Sequence, residues 1–110
     1  MDSMSEDGQF KVRDVDTAQG TAVIELDGDL DYSIYTSFKK AIADLVNHGV
    51  SHITYDLSRL TYIQSLGLGI IMWSYVELES RGGKITIAGA NDKIKHVFMA
   101  AQLDTLVKIQ

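Results

Sequence analysis

The chain has 110 residues, of which 45% are hydrophobic and 23% are charged, and it contains neither cysteine nor proline. These values are typical of a single globular domain with a core of its own. The absence of cysteine excludes a disulfide scaffold, a thiolate zinc site, an iron–sulfur cluster and a cysteine nucleophile.

The net charge of −5 is unevenly distributed, because residues 1–31 carry nine acidic and only two basic side chains. An acidic first third argues against a nucleic-acid partner, which needs clustered Lys and Arg, and against adhesion to an anionic membrane. Residues 1–8 are acidic and polar, unlike a signal peptide, and the longest apolar run, residues 66–73, is too short to span a bilayer. We therefore expect a cytoplasmic protein that binds no nucleic acid and does not insert directly into a membrane.

The N-terminal third predicts a β-hairpin. Residues 1–8 are expected to be a flexible start, and residues 9–110 a single domain. Phe10, Val12 and Val15 are predicted to share one face of a first strand, and the turn signal at Gln19 and Gly20 leads into a second strand over residues 21–26.

The rest of the chain alternates helices with strands. After a break at residues 28–31, Ser33 is predicted to cap a helix that ends at Gly49, with an apolar stripe made of Ile34, Phe38, Ala41, Ile42 and Leu45. A strand over residues 52–57, a largely apolar helix over residues 65–80 and a strand over residues 84–88 follow. Asn91 is the expected cap of a third helix, and a short strand ends the chain. The fold class predicted is α/β, a mixed sheet with helices packed on it, in the order β-β-α-β-α-β-α-β.

No arrangement of residues typical of an enzyme is visible. The three histidines have no metal-ligand spacing, and nucleotide-binding glycine motifs and the GxSxG nucleophile motif are absent. Asp27, Asp29 and Asp31 resemble the start of a calcium loop, but Phe38 stands where the distal glutamate is required. The sequence therefore predicts no catalytic residue, no metal and no cofactor.

Ser65 stands where the second long helix is expected to begin. The free N–H groups and positive dipole end of a helix stabilise an anion, so this is a favourable position for a phosphoserine. The glycines at 67 and 69 would let another protein approach closely. The alternative is that Ser65 is only an N-cap and that the glycines only allow close helix packing, and the residue pattern leaves both interpretations open.

The sequence resembles the STAS domain family, and specifically its free-standing bacterial anti-sigma factor antagonists. Two motifs carry the resemblance: GDLD at residues 28–31, and DLS at residues 56–58 followed after a short spacer by IQSLGLG at residues 63–69. Two glycines at residues 82–83 and the apolar residues 97–99 also fit the family pattern. The likeness covers residues 9–109. Gln64 departs from the pattern, because the family usually has an acid at that position.

The resemblance implies signal transduction by partner switching in the regulation of transcription. An unphosphorylated antagonist binds a serine kinase that is also an anti-sigma factor, phosphorylation releases the antagonist, and a PP2C-type phosphatase resets it. Ser65 is then the implied phosphoacceptor of a phosphoprotein that is not itself an enzyme. The implied partner-binding residues are Asp29, Asp31, Tyr32, Ser58, Gln64, Leu66, Gly67 and Gly69.

Two alternatives remain within the same family. One is a STAS subunit docked on a membrane transporter, and the other is a component of a sensory scaffold with a non-sigma output. The transporter subunit would remain bound and would need no phosphate cycle at Ser65.

Overall fold

A computed structural model describes residues 10–27 and 32–110. Its elements, in chain order, are β1 Phe10–Asp16, β2 Thr21–Asp27, a 3-10 turn Tyr32–Ile34, α1 Tyr35–Asn47, β3 His52–Arg59, α2 Ser65–Glu79, β4 Lys84–Ala88, α3 Asp92–Ala100, a 3-10 turn Leu103–Thr105 and β5 Lys108–Ile109. The predicted order of strands and helices is confirmed. The predicted flexible segment 1–8 lies outside the described residues.

The sheet is mixed, as the sequence predicts, with the strands side by side in the order β1-β2-β3-β4-β5. The β1–β2 pair is antiparallel, and every later pair is parallel. Because β2, β3 and β4 run in the same direction, the connections that follow them leave the sheet at one edge. That edge contains the β3–α2 connection and the turn between β4 and α3.

The core lies on one face of the sheet. Burial alternates along β2 and along most of β3, which is the pattern of strands covered on one side only. The buried stripe of the first helix is the predicted one, and Phe38 joins it to the sheet through edge-to-face contact with Phe10 and stacking on Tyr55.

Two local predictions were wrong. Val15 is 46% exposed, because it stands an odd number of positions after Phe10 and Val12, and strand alternation places it on the opposite face. It also lies in the irregular stretch between Arg13 and Asp16, where it has no register partner in β2. Ser33 does not cap α1, because it lies within the 3-10 turn and the N-cap position belongs to Ile34.

Two other predictions about helix ends are confirmed. Gly49 follows α1 with φ 93°, which glycine adopts without strain. Asn91 caps α3, since its Oδ1 accepts the Ile94 N–H at 2.9 Å. None of the described helices is long and apolar enough to cross a membrane.

Helix α2 is covered on one side only. Its buried side includes Ile70, Ile71 and Leu78, while Gly69 and Val76 on the opposite side are exposed. The predicted coverage of the first half of this helix is confirmed, because every large apolar side chain from Leu66 to Trp73 is buried or half-buried. The exposed side of α2 begins with Ser65 and Gly69.

Tyr55 provides a test of the core. Its hydroxyl is fully buried and donates to Ser74 Oγ at 2.7 Å, and Ser74 in turn donates to the Ile71 carbonyl at 2.7 Å. Burial raises the pKa of Tyr55, and the bond with Ser74 offsets only part of that effect. The folded state therefore resists ionisation of this phenol.

We predict that Tyr55→Phe lowers the free energy of unfolding by about 1 kcal/mol at pH 7, because one buried hydrogen bond is lost. Only the unfolded wild type can ionise this phenol near pH 10. The free energy of unfolding of the wild type should therefore fall by about 1.4 kcal/mol by about pH 11, and its stability advantage over Tyr55→Phe should vanish. Urea unfolding between pH 7 and 11 measures both effects. Tyr32→Phe, at an exposed site, should change stability little at pH 7. A constant difference between wild type and Tyr55→Phe across this pH range would contradict the account.

Candidate functional site

The connection between β3 and α2 is anchored at its start by Leu60. The side chain of Leu60 is buried, and its N–H donates to the Leu57 carbonyl at 3.0 Å. The residues that follow, Thr61 and Tyr62, are exposed. The connection therefore presents its middle to solvent while its first residue is held in the core.

Ser65 is the first residue of α2, and Gln64 occupies the N-cap position. Gln64 has extended backbone angles and makes no side-chain cap bond. The interpretation of Ser65 as only an N-cap is therefore wrong. The Ser65 side chain is exposed at the end of the helix where the first N–H groups have no partner inside the helix.

Gln64 stands beside a tyrosine that sequence reasoning missed. Its Nε2 donates to the Tyr62 hydroxyl at 3.3 Å, and both side chains are exposed. Tyr62 is 51% exposed three residues before Ser65. An aromatic residue just outside the motif was the available signal, since tyrosine is enriched at interaction surfaces.

The two motif glycines have different surroundings. Gly67 is buried, in agreement with a packing role, whereas Gly69 is exposed and has nothing within 4 Å of the position a Cβ would take. Leu66 is half-buried and packs against the core. The fold therefore does not require glycine at position 69, because a Cβ there would meet no other atom.

Ser58 is hydrogen-bonded to Asp56 and packs closely against a glycine. Asp56 Oδ1 accepts the Ser58 N–H at 3.0 Å, and Arg13 Nη2 donates to Asp56 Oδ2 at 2.8 Å. A Cβ at Gly89 would lie 2.9 Å from the Cβ of Ser58. Partial burial acts to raise the pKa of Asp56, but the bonds from Ser58 and the ion pair with Arg13 outweigh it, so the pKa is lowered.

Arg13 is the centre of a charged cluster on the sheet face opposite the core. It pairs with Asp14, with Glu25 and with Asp56, and Arg59 lies 3.7 Å from Glu25. The hydrogen bond to Glu25 is the main cause that raises the pKa of Arg13. Sequence reasoning missed this cluster, because its members come from three strands and meet only through the sheet register.

Tyr32 is 78% exposed at the start of the turn that precedes α1. Asp29 and Asp31, the other expected partner-binding residues before this helix, lie outside the described residues. Asp27, the last residue of β2, is in register with Arg59, so the ends of β2 and β3 are adjacent. Within residues 10–27 and 32–110, no three His, Asp or Glu side chains lie close enough together to hold a metal ion.

Comparison with known proteins identifies the family. The family model described as "Mlab, STAS domain" matches residues 14–108. A Thermotoga maritima protein provisionally named an anti-sigma factor antagonist is 34% identical over 73 residues, which span 66% of this chain and 65% of that relative. The chain belongs to the STAS domain family.

Solved structures agree with this assignment. A crystal structure of a Thermotoga maritima protein provisionally described as an anti-sigma factor antagonist has a TM-score of 0.75 at 28% identity, covering 93% of this chain and 86% of that one. The Bacillus cell fate determinant SpoIIAA in its phosphorylated form has a TM-score of 0.68 at 25% identity, covering 92% and 90%. The unphosphorylated antagonist SpoIIAA, at 24% identity, shares the fold with a TM-score of 0.76 over 92% of this chain and 87% of its own.

We predict that Arg13→Met raises the pKa of Asp56 toward its ordinary value, because the mutation removes the guanidinium that stabilises the ionised form. A lowered folded-state pKa stabilises the protein above the unfolded pKa of about 3.9, and that stabilisation is lost as pH falls through the folded pKa. The difference in unfolding free energy between wild type and Arg13→Met should therefore be largest near pH 7 and should become smaller in acid.

NMR titration of the Asp56 carboxyl and urea unfolding from pH 2 to 7 measure these effects. Lys11→Met removes a charge of the same sign from the same strand and is the control. An Asp56 pKa that moves equally in the two variants would show that net charge, and not the ion pair, sets it.

Proposed function

We propose that this protein is an anti-sigma factor antagonist that acts by partner switching, with Ser65 as the phosphoacceptor. The observation that carries the proposal is the exposed Ser65 at the first position of α2, after an N-cap residue whose side chain leaves the helix end uncapped. The antagonist names of the relatives support it. In the unphosphorylated state it binds a serine kinase that is also the anti-sigma factor.

The chemistry of a phosphate at this position supports a switch. Phosphorylation adds about −1.5 to −2 charges at one point. The free N–H groups and dipole of the helix stabilise that charge by roughly 0.3–1 kcal/mol at an exposed site, so the modified protein stays folded. The existence of SpoIIAA in both phosphorylated and unphosphorylated forms is consistent with this.

Release of the partner follows from desolvation and repulsion. The same phosphate, if buried against a partner, costs far more than at an open helix end. The net charge of −5 does not itself cause release, because a partner adapted to an acidic chain is basic. Release instead requires that the phosphate meet a closely packed or acidic part of the kinase surface. We expect Asp29, Asp31 and Tyr32 to contact the same partner as Ser58, Gln64, Leu66 and Gly69. Gly67, which the sequence also placed in the interface, is buried and packs within the fold.

The proposal assigns the remaining roles to other proteins. The kinase supplies the phosphoryl group, and a PP2C-type phosphatase removes it, so this chain is a substrate and a binding protein and not an enzyme. Such a cycle operates in the bacterial cytoplasm. Gln64, held by Tyr62, preserves the hydrogen-bonding reach of the usual acid without its charge.

The second candidate is a STAS subunit held on a transporter. The matching family model carries the description Mlab, which differs from the antagonist names of the relatives. A permanently docked subunit would keep its partner whatever the charge at residue 65. Insensitivity of binding to phosphorylation would therefore favour this candidate.

We predict that incubation with the cognate serine kinase and ATP adds one phosphate, at Ser65. Peptide mass spectrometry locates it. Ser65→Ala should accept none, while Ser58→Ala, which removes the other motif serine, should still be phosphorylated at Ser65. Phosphate found only elsewhere, or none with a kinase shown to be active, would overturn the assignment.

We also predict that Gly69→Ala separates folding from partner binding. Alanine in place of a helical glycine should raise the free energy of unfolding by about 1 kcal/mol, since the space around Gly69 is open. A methyl group pressed into a close interface costs roughly 1–3 kcal/mol, so affinity for the kinase should fall about tenfold or more.

Urea unfolding and calorimetric titration measure the two effects of Gly69→Ala. His96→Ala, at an exposed position of α3, is the control. Alanine there should also stabilise its helix, but it should leave the affinity for the kinase unchanged. Unchanged binding by Gly69→Ala would place Gly69 outside the interface.

A further inference from the structure

The side chain of Asn91 makes two hydrogen bonds that join separate parts of the fold. Its Oδ1 accepts the Ile94 N–H at 2.9 Å and caps α3. Its Nδ2 donates to the carbonyl of Thr61 at 2.9 Å, across thirty positions of sequence. A helix cap needs only the first of these bonds.

The second bond reaches the β3–α2 connection at its second residue. Leu60 and the half-buried Ile63 pack on the core, whereas Thr61, Tyr62 and Gln64 are exposed. The N-cap position of α2 has no side-chain cap bond to fix the direction in which the helix begins. The Thr61 carbonyl, four residues before Ser65, is thus held from outside the connection by an element that follows a different strand.

We infer that Asn91 is a positioning residue for Ser65, because its Nδ2–Thr61 bond fixes the backbone that leads into α2. The inference deepens the proposed function, since it rests on Ser65 as the residue that a kinase must reach. The inference gives different roles to the oxygen and the nitrogen of one carboxamide. The oxygen stabilises α3, and the nitrogen orders the segment that presents the phosphoacceptor.

Two substitutions keep the cap and take away the Nδ2 donor. Asn91→Asp and Asn91→Ser both retain an oxygen that caps helices about as well as asparagine does. The aspartate carboxylate has no donor, and the serine hydroxyl lies at the γ position, one bond short of Nδ2. Asn91→Ser adds no charge, so agreement between the two variants excludes a charge effect. Thr105→Val is the matched control, because it removes another exposed side-chain bond to a carbonyl, of the same 2.9 Å length, far from the connection.

Amide hydrogen exchange of the purified protein tests the inference without any partner. One neutral hydrogen bond corresponds to about a three- to tenfold change in a local opening equilibrium. The amides to follow are that of Leu60, which donates to the Leu57 carbonyl, and that of Leu68, which donates to the Gln64 carbonyl. Their exchange should therefore accelerate about three- to tenfold in Asn91→Asp and Asn91→Ser. Exchange in α3 should stay as in wild type, and Thr105→Val should leave the Leu60 and Leu68 amides unchanged.

The kinase assay is the second readout. We expect kcat/KM for phosphorylation of Ser65 to fall by a similar factor in both variants, with the melting temperature nearly unchanged. Wild-type exchange rates at the Leu60 and Leu68 amides of both variants would overturn the inference and leave Asn91 as a helix cap only. Accelerated exchange together with no phosphorylation of wild-type Ser65 would instead overturn the proposed function and leave the ordering role of Asn91 standing.

Discussion

The parallel pairing of β2, β3 and β4 is the constraint on which the rest of the structure depends. Parallel neighbours must be joined by crossovers, and in this chain the crossovers are α1 and α2. Their geometry brings the ends of β3 and β4 to one edge of the sheet. For that reason the connection that leads into Ser65 lies beside the turn carrying Asn91, although thirty residues separate Thr61 from Asn91.

The two sides of α2 have different surroundings, and its composition reflects that difference. One side buries Ile70, Ile71 and Leu78 against the sheet, and the first turns of the other side expose Ser65 and Gly69. Within the helix, charge appears only near its end, at Glu77 and Glu79. An exposed first turn without charged side chains fits the proposal that a partner covers it in a complex.

The sequence predicts this fold well where local patterns determine the structure. Alternation located the strands, the apolar spacing located α1, and Asn91 was correctly expected to cap α3. Val15 was misplaced because its odd spacing from Phe10 and Val12 puts it on the other face of a strand, so the prediction departed from the alternation rule itself. The family motifs singled out Ser65 and Gly69, but not Arg13, Tyr62 or the second bond of Asn91, because those contacts depend on segments that meet only after folding.

The phosphate switch is the central claim, and the affinity of the kinase for differently charged forms of residue 65 tests it most directly. Calorimetric titration would compare the unphosphorylated wild type, Ser65→Ala, Ser65→Asp and protein carrying phosphoserine at position 65. We predict that wild type and Ser65→Ala bind equally well, while the phosphorylated form binds about a hundredfold or more weakly, a loss of about 2.7 kcal/mol, and Ser65→Asp is weakened in the same direction. Equal affinity of the phosphorylated and unphosphorylated forms would contradict the account.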